Sequence, residues 1–343
     1  MRYCIIENVA GNFLPVKMNQ PKVLHRGNID KKLWDELVVR TNGSLYSTYD
    51  YLSLCEGDWE ALVLIEDGKY ICAAPFPYRK RVGQKYIYQS PMASYFTLMT
   101  LPSDEQVREK FVNDWLEQLK KYKYVAKYFF KDASINWLKG FEIIKHQGLQ
   151  IEIHSEYEKN YYRYSKGRKE NLNKAYLSNQ AVKQSFDVEL FCLFHEKYAA
   201  LKIDGLNWAQ TEWMRVLWKQ LLQNDQIEIY FSESNQEILG GVLIGKFGTT
   251  IYMLATFSSS EGRKKYSVAL VMDCIIKKYA QSNYTYFDLG NTAGTQGIDE
   301  FKLQFGATYY SIRQIYRNHL PWFIRIPKNV LNFFKINTGA NPY

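Results

Sequence analysis

Only five cysteines, Cys4, Cys55, Cys72, Cys192 and Cys274, occur among 343 residues, and no two form a Cys-x-x-Cys pair. Their scatter and odd number argue against a disulfide scaffold and a thiolate zinc site. The histidines, His25, His146, His154, His195 and His319, share no ligand spacing, so each reads as structural or exposed and no metal is implied. A run of about 18 apolar residues, the minimum for a membrane span, is missing. Glu7 and Asn8 interrupt the apolar stretch that a signal peptide would need, so the expected location is the cytoplasm. Gly-x-Ser-x-Gly, His-Glu-x-x-His and P-loop motifs are also absent, which fits a reaction that uses no protein nucleophile.

What is present describes a folded chain. Apolar residues make up 46% and charged residues 23%, unlike a disordered sequence. The length suits two domains. Aromatic side chains are abundant: 28 Tyr, 19 Phe and 8 Trp fill cores and can line grooves for sugars, bases and acyl chains. The excess of 44 basic over 35 acidic residues, a net +9, favours an anionic partner or serves solubility alone.

The halves repeat one pattern. Glu66-Asp67-Gly68-Lys69 joins the strand-like runs Leu62 to Ile65 and Ile71 to Phe76, and Glu233-Ser234-Asn235-Gln236 joins Ile229 to Phe231 and Ile238 to Ile244; the offset is 233 − 66 = 167. Arg79 to Gly83 then answers Lys246 to Gly248, and Tyr86 to Gln89 answers Ile251 to Leu254. Apolar spacing of three and four predicts helices over Asp30 to Arg40, Tyr49 to Cys55, Val188 to Leu201 and Thr211 to Leu222. Downstream, the helix Glu105 to Lys120 and strand Tyr124 to Phe130 match the helix Tyr266 to Tyr279 and strand Tyr284 to Leu289. A last helix and strand close each half, Ile135 to Ile144 with Leu149 to Ile153, and Asp299 to Phe305 with Thr308 to Ile315. Each half therefore reads ααβββαβαβ, and such an order twice in succession is the signature of a duplication.

This element order resembles the GNAT acyltransferase fold, and the tandem arrangement is similar to the FemAB-like group, whose members add amino acids to peptidoglycan precursors from aminoacyl-tRNA. Two stretches carry the resemblance: Tyr164-Ser165-Lys166-Gly167-Arg168-Lys169-Glu170-Asn171-Leu172-Asn173-Lys174-Ala175, and Phe287-Asp288-Leu289-Gly290 followed by Phe301-Lys302-Leu303-Gln304-Phe305-Gly306-Ala307. The expected fold class is α+β, a tandem duplicated GNAT fold, each half a mixed, mostly antiparallel sheet flanked by helices. The expected domains are 1–160, without a donor site, and 161–318, the active half, followed by a tail, 319–343. The resemblance places the catalytic or substrate-facing lysine on Lys302. It implies acyl-CoA or aminoacyl-tRNA as co-substrate and no tightly bound cofactor. One departure bears on the donor: the glycine positions of the (Arg/Gln)-x-x-Gly-x-(Gly/Ala) pattern of CoA-dependent members hold Tyr266 and Val268, counted from Arg263.

Residue chemistry adds detail. The helix start in the first half reads Ser103-Asp104-Glu105-Gln106, a stable acidic cap, whereas its twin reads Glu261-Gly262-Arg263-Lys264-Lys265. Three cations there suggest a phosphate site, the alternative being a solvated basic loop. The resemblance puts the amides that polarise the donor carbonyl on Leu254, Ala255, Thr256 and Phe257. Asp288, at the end of an apolar strand, can orient an amine or take a proton, or simply make a turn. Arg168 and Lys169, in a basic cluster opening a helix between the halves, and Phe305 and Gly306 are candidate substrate contacts.

The expected function is N-acyl or aminoacyl transfer to an amine acceptor such as a cell-wall precursor. Alternatives are a CoA-dependent small-molecule N-acetyltransferase and a catalytically inactive tandem GNAT that binds RNA or membrane. Residues Leu320 to Ile336, with Arg325, Lys328 and Lys335 among aromatics, suit an anionic bilayer surface or fold back onto the protein, and the packed arrangement is the expectation.

Overall fold

Two left-handed residues close the hairpin in each half, Asp67 (φ 48°) and Gly68 (φ 74°) in the first, Asn235 (φ 51°) and Gln236 (φ 67°) in the second. Such a turn matches the right-handed twist of the strands it joins. The turns correspond at 235 − 67 = 168, one residue beyond the spacing of the flanking glutamates. At that offset Glu60 falls on Glu228.

The computed structural model describes residues 4–6, 14–16, 19–54, 57–81, 83–90, 92–101, 105–131, 140–199, 208–292 and 296–321. It separates into two compact units, one of Met1–Ser53, Gly57–Ile143 and Gln314–His319, the other of Leu54–Glu56, Ile144–Arg313 and Leu320–Tyr343. The expected tail lies outside the described residues from Trp322 onward.

The first unit runs β1 (Cys4–Ile6), β2 (Leu14–Val16), β3 (Lys22–His25), α1 (Lys31–Arg40), α2 (Tyr49–Leu54), β4 (Asp58–Glu66), β5 (Lys69–Arg81), β6 (Gln84–Tyr88), β7 (Met99–Thr100), α3 (Glu105–Lys120), β8 (Tyr124–Lys127) and β9 (Phe129–Phe130). Asp30 caps α1 by accepting from the Leu33 amide, and Trp34, Trp59, Phe111 and Trp115 fill the core. Strands β3 to β6 form an antiparallel meander, and β8 joins β6 in parallel.

The second unit runs β10 (Glu142–Glu152), α4 (Tyr157–Tyr162), α5 (Lys166–Leu177), β11 (Ala181–Ser185), α6 (Val188–Tyr198), α7 (Trp208–Gln223), β12 (Ile227–Ser234), β13 (Glu237–Phe247), β14 (Thr250–Ser258), α8 (Ser260–Lys264), α9 (Ser267–Tyr279), β15 (Tyr286–Asn291), α10 (Gln296–Leu303) and β16 (Thr308–Asn318). Strands β11 to β14 are antiparallel, β15 is parallel to β14, and β10 is antiparallel to β15. The parallel pair after the helix thus recurs in both units. Helix α9 packs its buried face, Ala269, Val271, Met272, Ile275 and Ile276, into the core with Val242, Ile244, Ile251 and Phe287. Among the described residues no helix is long and apolar enough to cross a membrane.

Two expectations of chain order are corrected. Residues 142–144, expected to end a helix, open strand β10 instead, while 132–139 lie outside the described residues. The strand expected to close the first half belongs from Ile144 onward to the second unit, with Gln150, Ile151 and Glu152 paired to Asp288, Phe287 and Tyr286. Reciprocally, Gln314–His319 belongs to the first unit, where Arg317 and Asn318 pair with Val125 and Tyr124. Alternating apolar residues announce a strand, but its partner is chosen by backbone register, which chain order does not carry.

The duplication reaches a buried carboxylate. Glu60 accepts from the Tyr122 hydroxyl and the Lys85 ammonium. Glu228 accepts from the hydroxyls of Tyr230 and Tyr279 (2.8 Å) and from Lys278 (3.0 Å) and Lys246 (3.2 Å). Burial alone would raise the Glu228 pKa, but these hydrogen bonds and cations outweigh it and push the carboxyl down to about 2. A group depressed on folding stabilises the protein fully above its unfolded pKa, and that contribution fades as pH falls towards the folded value. We therefore expect an acid-dependent loss of about 2 kcal/mol between roughly pH 5 and pH 2, which Glu228→Gln removes. Urea titrations of both proteins at pH 7, 4 and 2.5 check it; parallel pH profiles would exclude Glu228 as the source.

Candidate functional site

Past Tyr252 the sheet of the second unit opens. Parallel pairing of β14 with β15 covers Thr250 with Tyr286, Ile251 with Phe287 and Tyr252 with Asp288. Strand β14 continues to Ser258, paired to β13 as far as Gly240, while β15 continues to Asn291. Leu254, Ala255, Thr256 and Phe257 lie on this parted stretch. The equivalent notch in the first unit is stitched shut. After Ile87–Val125 and Tyr88–Lys127, the Gln89 amide donates to the Lys127 carbonyl and the Gln89 side chain accepts from the Phe129 amide. Phe96 then bonds to Phe129 and Lys131 through its backbone.

At the open notch, α9 begins without a side-chain cap, on Tyr266 in the left-handed conformation (φ 55°). That is the backbone a glycine would take, at the position where the CoA-type pattern has one. Ser267, the first residue of α9, is buried and donates to Gln180 Oε1 at 2.6 Å. Preceding it, α8 rests on β13 so closely that a Cβ on Gly262 would lie 2.0 Å from the Leu239 carbonyl oxygen. The three cations expected at this helix start lie in α8 and its cap. Lys264 and Lys265 pair with Glu261 at 3.7 and 3.4 Å, and Arg263 turns back to the Ser258 carbonyl at 2.8 Å. Much of their charge is thus already engaged.

Asp288 is buried where β14 and β15 part. It accepts from the Gly290 amide (2.8 Å) and from the Tyr310 hydroxyl (2.9 and 3.1 Å to its two oxygens). The Tyr310 ring lies across Gly148, where a Cβ would meet it at 2.2 Å. Lys302, expected at the surface if it had no role, is only 5% exposed and donates to the Asn291 carbonyl at 3.0 Å. Burial lowers its pKa, with Asp299 and Asp288 pulling the other way.

The remaining candidates surround α10. Arg168 is buried between the rings of Phe301 and Phe305. Phe305 is itself packed edge-on against Tyr164. Gly306 (φ 77°) abuts the Arg163 backbone, and Arg163 donates to the Gly306 carbonyl at 3.3 Å. Lys169 donates to the Tyr162 carbonyl and lies over the rings of Tyr161 and Tyr162. A shallow hollow of about 590 Å³, lined by Phe186, Asp187, Lys219 and neighbouring residues, contains none of these groups.

Sequence reasoning missed Tyr310, which bonds Asp288 and lies across Gly148, and Asp273 on α9. Asp273 is fully buried and accepts from the hydroxyls of Tyr157 (2.8 Å) and Tyr176 (2.6 Å). An aspartate inside an otherwise apolar helix face, Ala269 to Ile276, was the available signal. His195, read as structural or exposed, is buried beside Phe191 and Trp218, and burial pushes it down to about 4.

Residues 185–303 match the Acetyltransferase (GNAT) domain family. This stretch, within the second half of the chain, is similar to GNAT acyltransferase domains. The whole chain has the tandem fold of FemX, with a TM-score of 0.66 at 13% identity, covering 89% of this chain and 99% of that one. A tandem GNAT protein from the clavulanic acid biosynthesis pathway gives 0.51 at 9% identity over 88% of this chain and 99% of its own. L-PGS from Bacillus licheniformis gives 0.51 at 12% identity over 86% and 94%. No curated protein matches the sequence. The duplicated GNAT fold expected from the repeat is therefore present, with the matched domain, the open notch and Lys302 all in the second half.

Proposed function

We propose that the second half transfers an acyl or aminoacyl group from an activated donor to an amine acceptor of the cell-wall-precursor class, and that the first half lacks a donor site. The parting of β14 from β15 beside Lys302 and Asp288 carries this reading, because the twin notch is closed by Gln89 and Phe96. Backbone groups between Leu254 and Phe257 receive the donor carbonyl, and electrostatic stabilisation of its developing charge is the largest contribution such a site can make. Lys302 stabilises that charge or the leaving group, while Asp288, held by Tyr310, orients the amine and takes its proton. Tyr266 and Val268 in place of glycines keep a pyrophosphate from close approach, which favours aminoacyl-tRNA over acyl-CoA. The likeness of the fold to FemX and L-PGS supports the aminoacyl reading.

Incubation with aminoacyl-tRNA and, separately, acyl-CoA thioesters, each with a panel of amines, tests it by mass spectrometry for new amides. Amide formation from acyl-CoA alone would make the protein a CoA-dependent small-molecule N-acetyltransferase, and none from either donor would leave a binding module. Changing Arg263, Lys264 and Lys265 together to Gln should weaken binding of the productive donor a few-fold and flatten its salt dependence. Glu105→Gln, at the twin helix start, should change stability alone. Donor titrations at two salt concentrations read both effects.

A further inference from the structure

Arg168 is 2% exposed, yet no described carboxylate pairs with it and its Nε has no hydrogen-bond partner. Burying such a group costs free energy unless other contacts offset it. Its described ring contacts and guanidinium hydrogen bond fall on Phe301 and Phe305, which flank Lys302. Its guanidinium carbon lies 4.4 Å from the Phe301 ring centroid and 4.3 Å from that of Phe305, and it donates to the Phe301 carbonyl at 3.1 Å. Guanidinium faces bind aromatic rings well, and the planar fork adds a directed hydrogen bond that an ammonium would hold less rigidly. The same junction grips the turn that follows α10: the Ser165 amide donates to the Gln304 carbonyl at 3.0 Å, and Arg163 reaches the Gly306 carbonyl. The helices α4 and α5 that carry these groups are tied to α9 by Tyr157 and Tyr176 on Asp273.

We infer that Arg168 is a positioning residue: clamped between Phe301 and Phe305, it holds α10 so that the Lys302 ammonium stays buried on the Asn291 carbonyl beside Asp288. The charged groups acting on Lys302 are Asp299 on its own helix and Asp288 on β15, the latter held by Tyr310 of β16. Arg168 sets how deeply Lys302 sits among them, and so how far water competes for it. The clamp's effect on turnover rests on the acyl-transfer reading, whereas its effect on Lys302 burial does not.

Competitive acetylation of the intact protein with acetic anhydride across pH, read by mass spectrometry at Lys302 and at the exposed Lys264, tests the clamp without any substrate. In the wild type, Lys302 should react at least tenfold more slowly than Lys264 above its midpoint, and with a lower midpoint. In Arg168→Met, which keeps the unbranched stem, the rate gap should close and the Lys302 midpoint should rise to that of Lys264. Arg168→Lys should retain most of the protection, and Phe301→Leu should lose part of it. A folded Arg168→Met protein with wild-type rate and midpoint at Lys302 overturns the inference. Loss of turnover with that labelling unchanged does so too, and places Arg168 on the substrate instead. If Arg168→Met does not fold, unchanged labelling in Phe301→Leu overturns the inference in its place. Failure of the acyl-transfer reading would appear separately, as no amide formed by the wild type from either donor.

Discussion

Lys302→Met should lower amide formation at least tenfold while leaving the melting temperature unchanged or slightly raised. The two effects separate because Lys302 is buried. A lysine side chain removed from water carries a desolvation cost, and replacing a buried charge with an apolar group of similar length is often neutral or stabilising. Its one described hydrogen bond, to the Asn291 carbonyl, returns part of that cost. Lys302→Ala would confuse the result, since emptying a buried site of this size costs about 2 to 3 kcal/mol. A surface lysine outside the reaction would have shown no loss of turnover and no gain in melting temperature. Turnover and thermal unfolding measured on the same preparations decide the matter, and wild-type turnover in a folded Lys302→Met protein removes the residue from the reaction.

Asp273→Ala should cost about 4 kcal/mol, with most of the loss in the α4 and α5 segment. Without the carboxylate, the hydroxyls of the partly buried Tyr157 and the half-exposed Tyr176 lose their acceptor at the edge of a core that includes Leu172 and Ile276. Asp273→Asn retains one acceptor oxygen and should cost less than half as much. Asp273→Leu puts in place the residue found in the first unit. Counting back from the paired tyrosines, 279 − 122 = 157 and 273 − 157 = 116, which is Leu116. Among its described residues that unit has no counterpart of α4 and α5 to anchor. Urea unfolding gives the magnitude and limited proteolysis between Glu156 and Leu177 gives the location; equal protection in Asp273→Ala and wild type would show that the carboxylate anchors nothing.

The sequence by itself determined the local structure and its repetition. Apolar residues every three or four positions place α1, α3, α6 and α9 to within a few residues, because a helix buries one face whatever its surroundings. The paired turns at Asp67-Gly68 and Asn235-Gln236 were legible for the same local reason, and they announced the duplication before any sheet was visible. Lys302, Phe305 and Gly306 stood out through family resemblance, and Asp288 through that and its place at the end of an apolar strand. Only the tertiary structure decided that β10 from Ile144 onward joins the second unit and Gln314–His319 the first, because strand partners are selected by register between segments far apart in the chain. The same holds for Arg168 between Phe301 and Phe305, separated by 133 residues from the carbonyl it binds. It holds equally for Asp273 beneath two tyrosines and for the burial of Lys302. Whether a charge is solvated or desolvated depends on what is packed over it, and for Asp273 the tyrosines that meet it come from the stretch between the halves, where the repeat is interrupted.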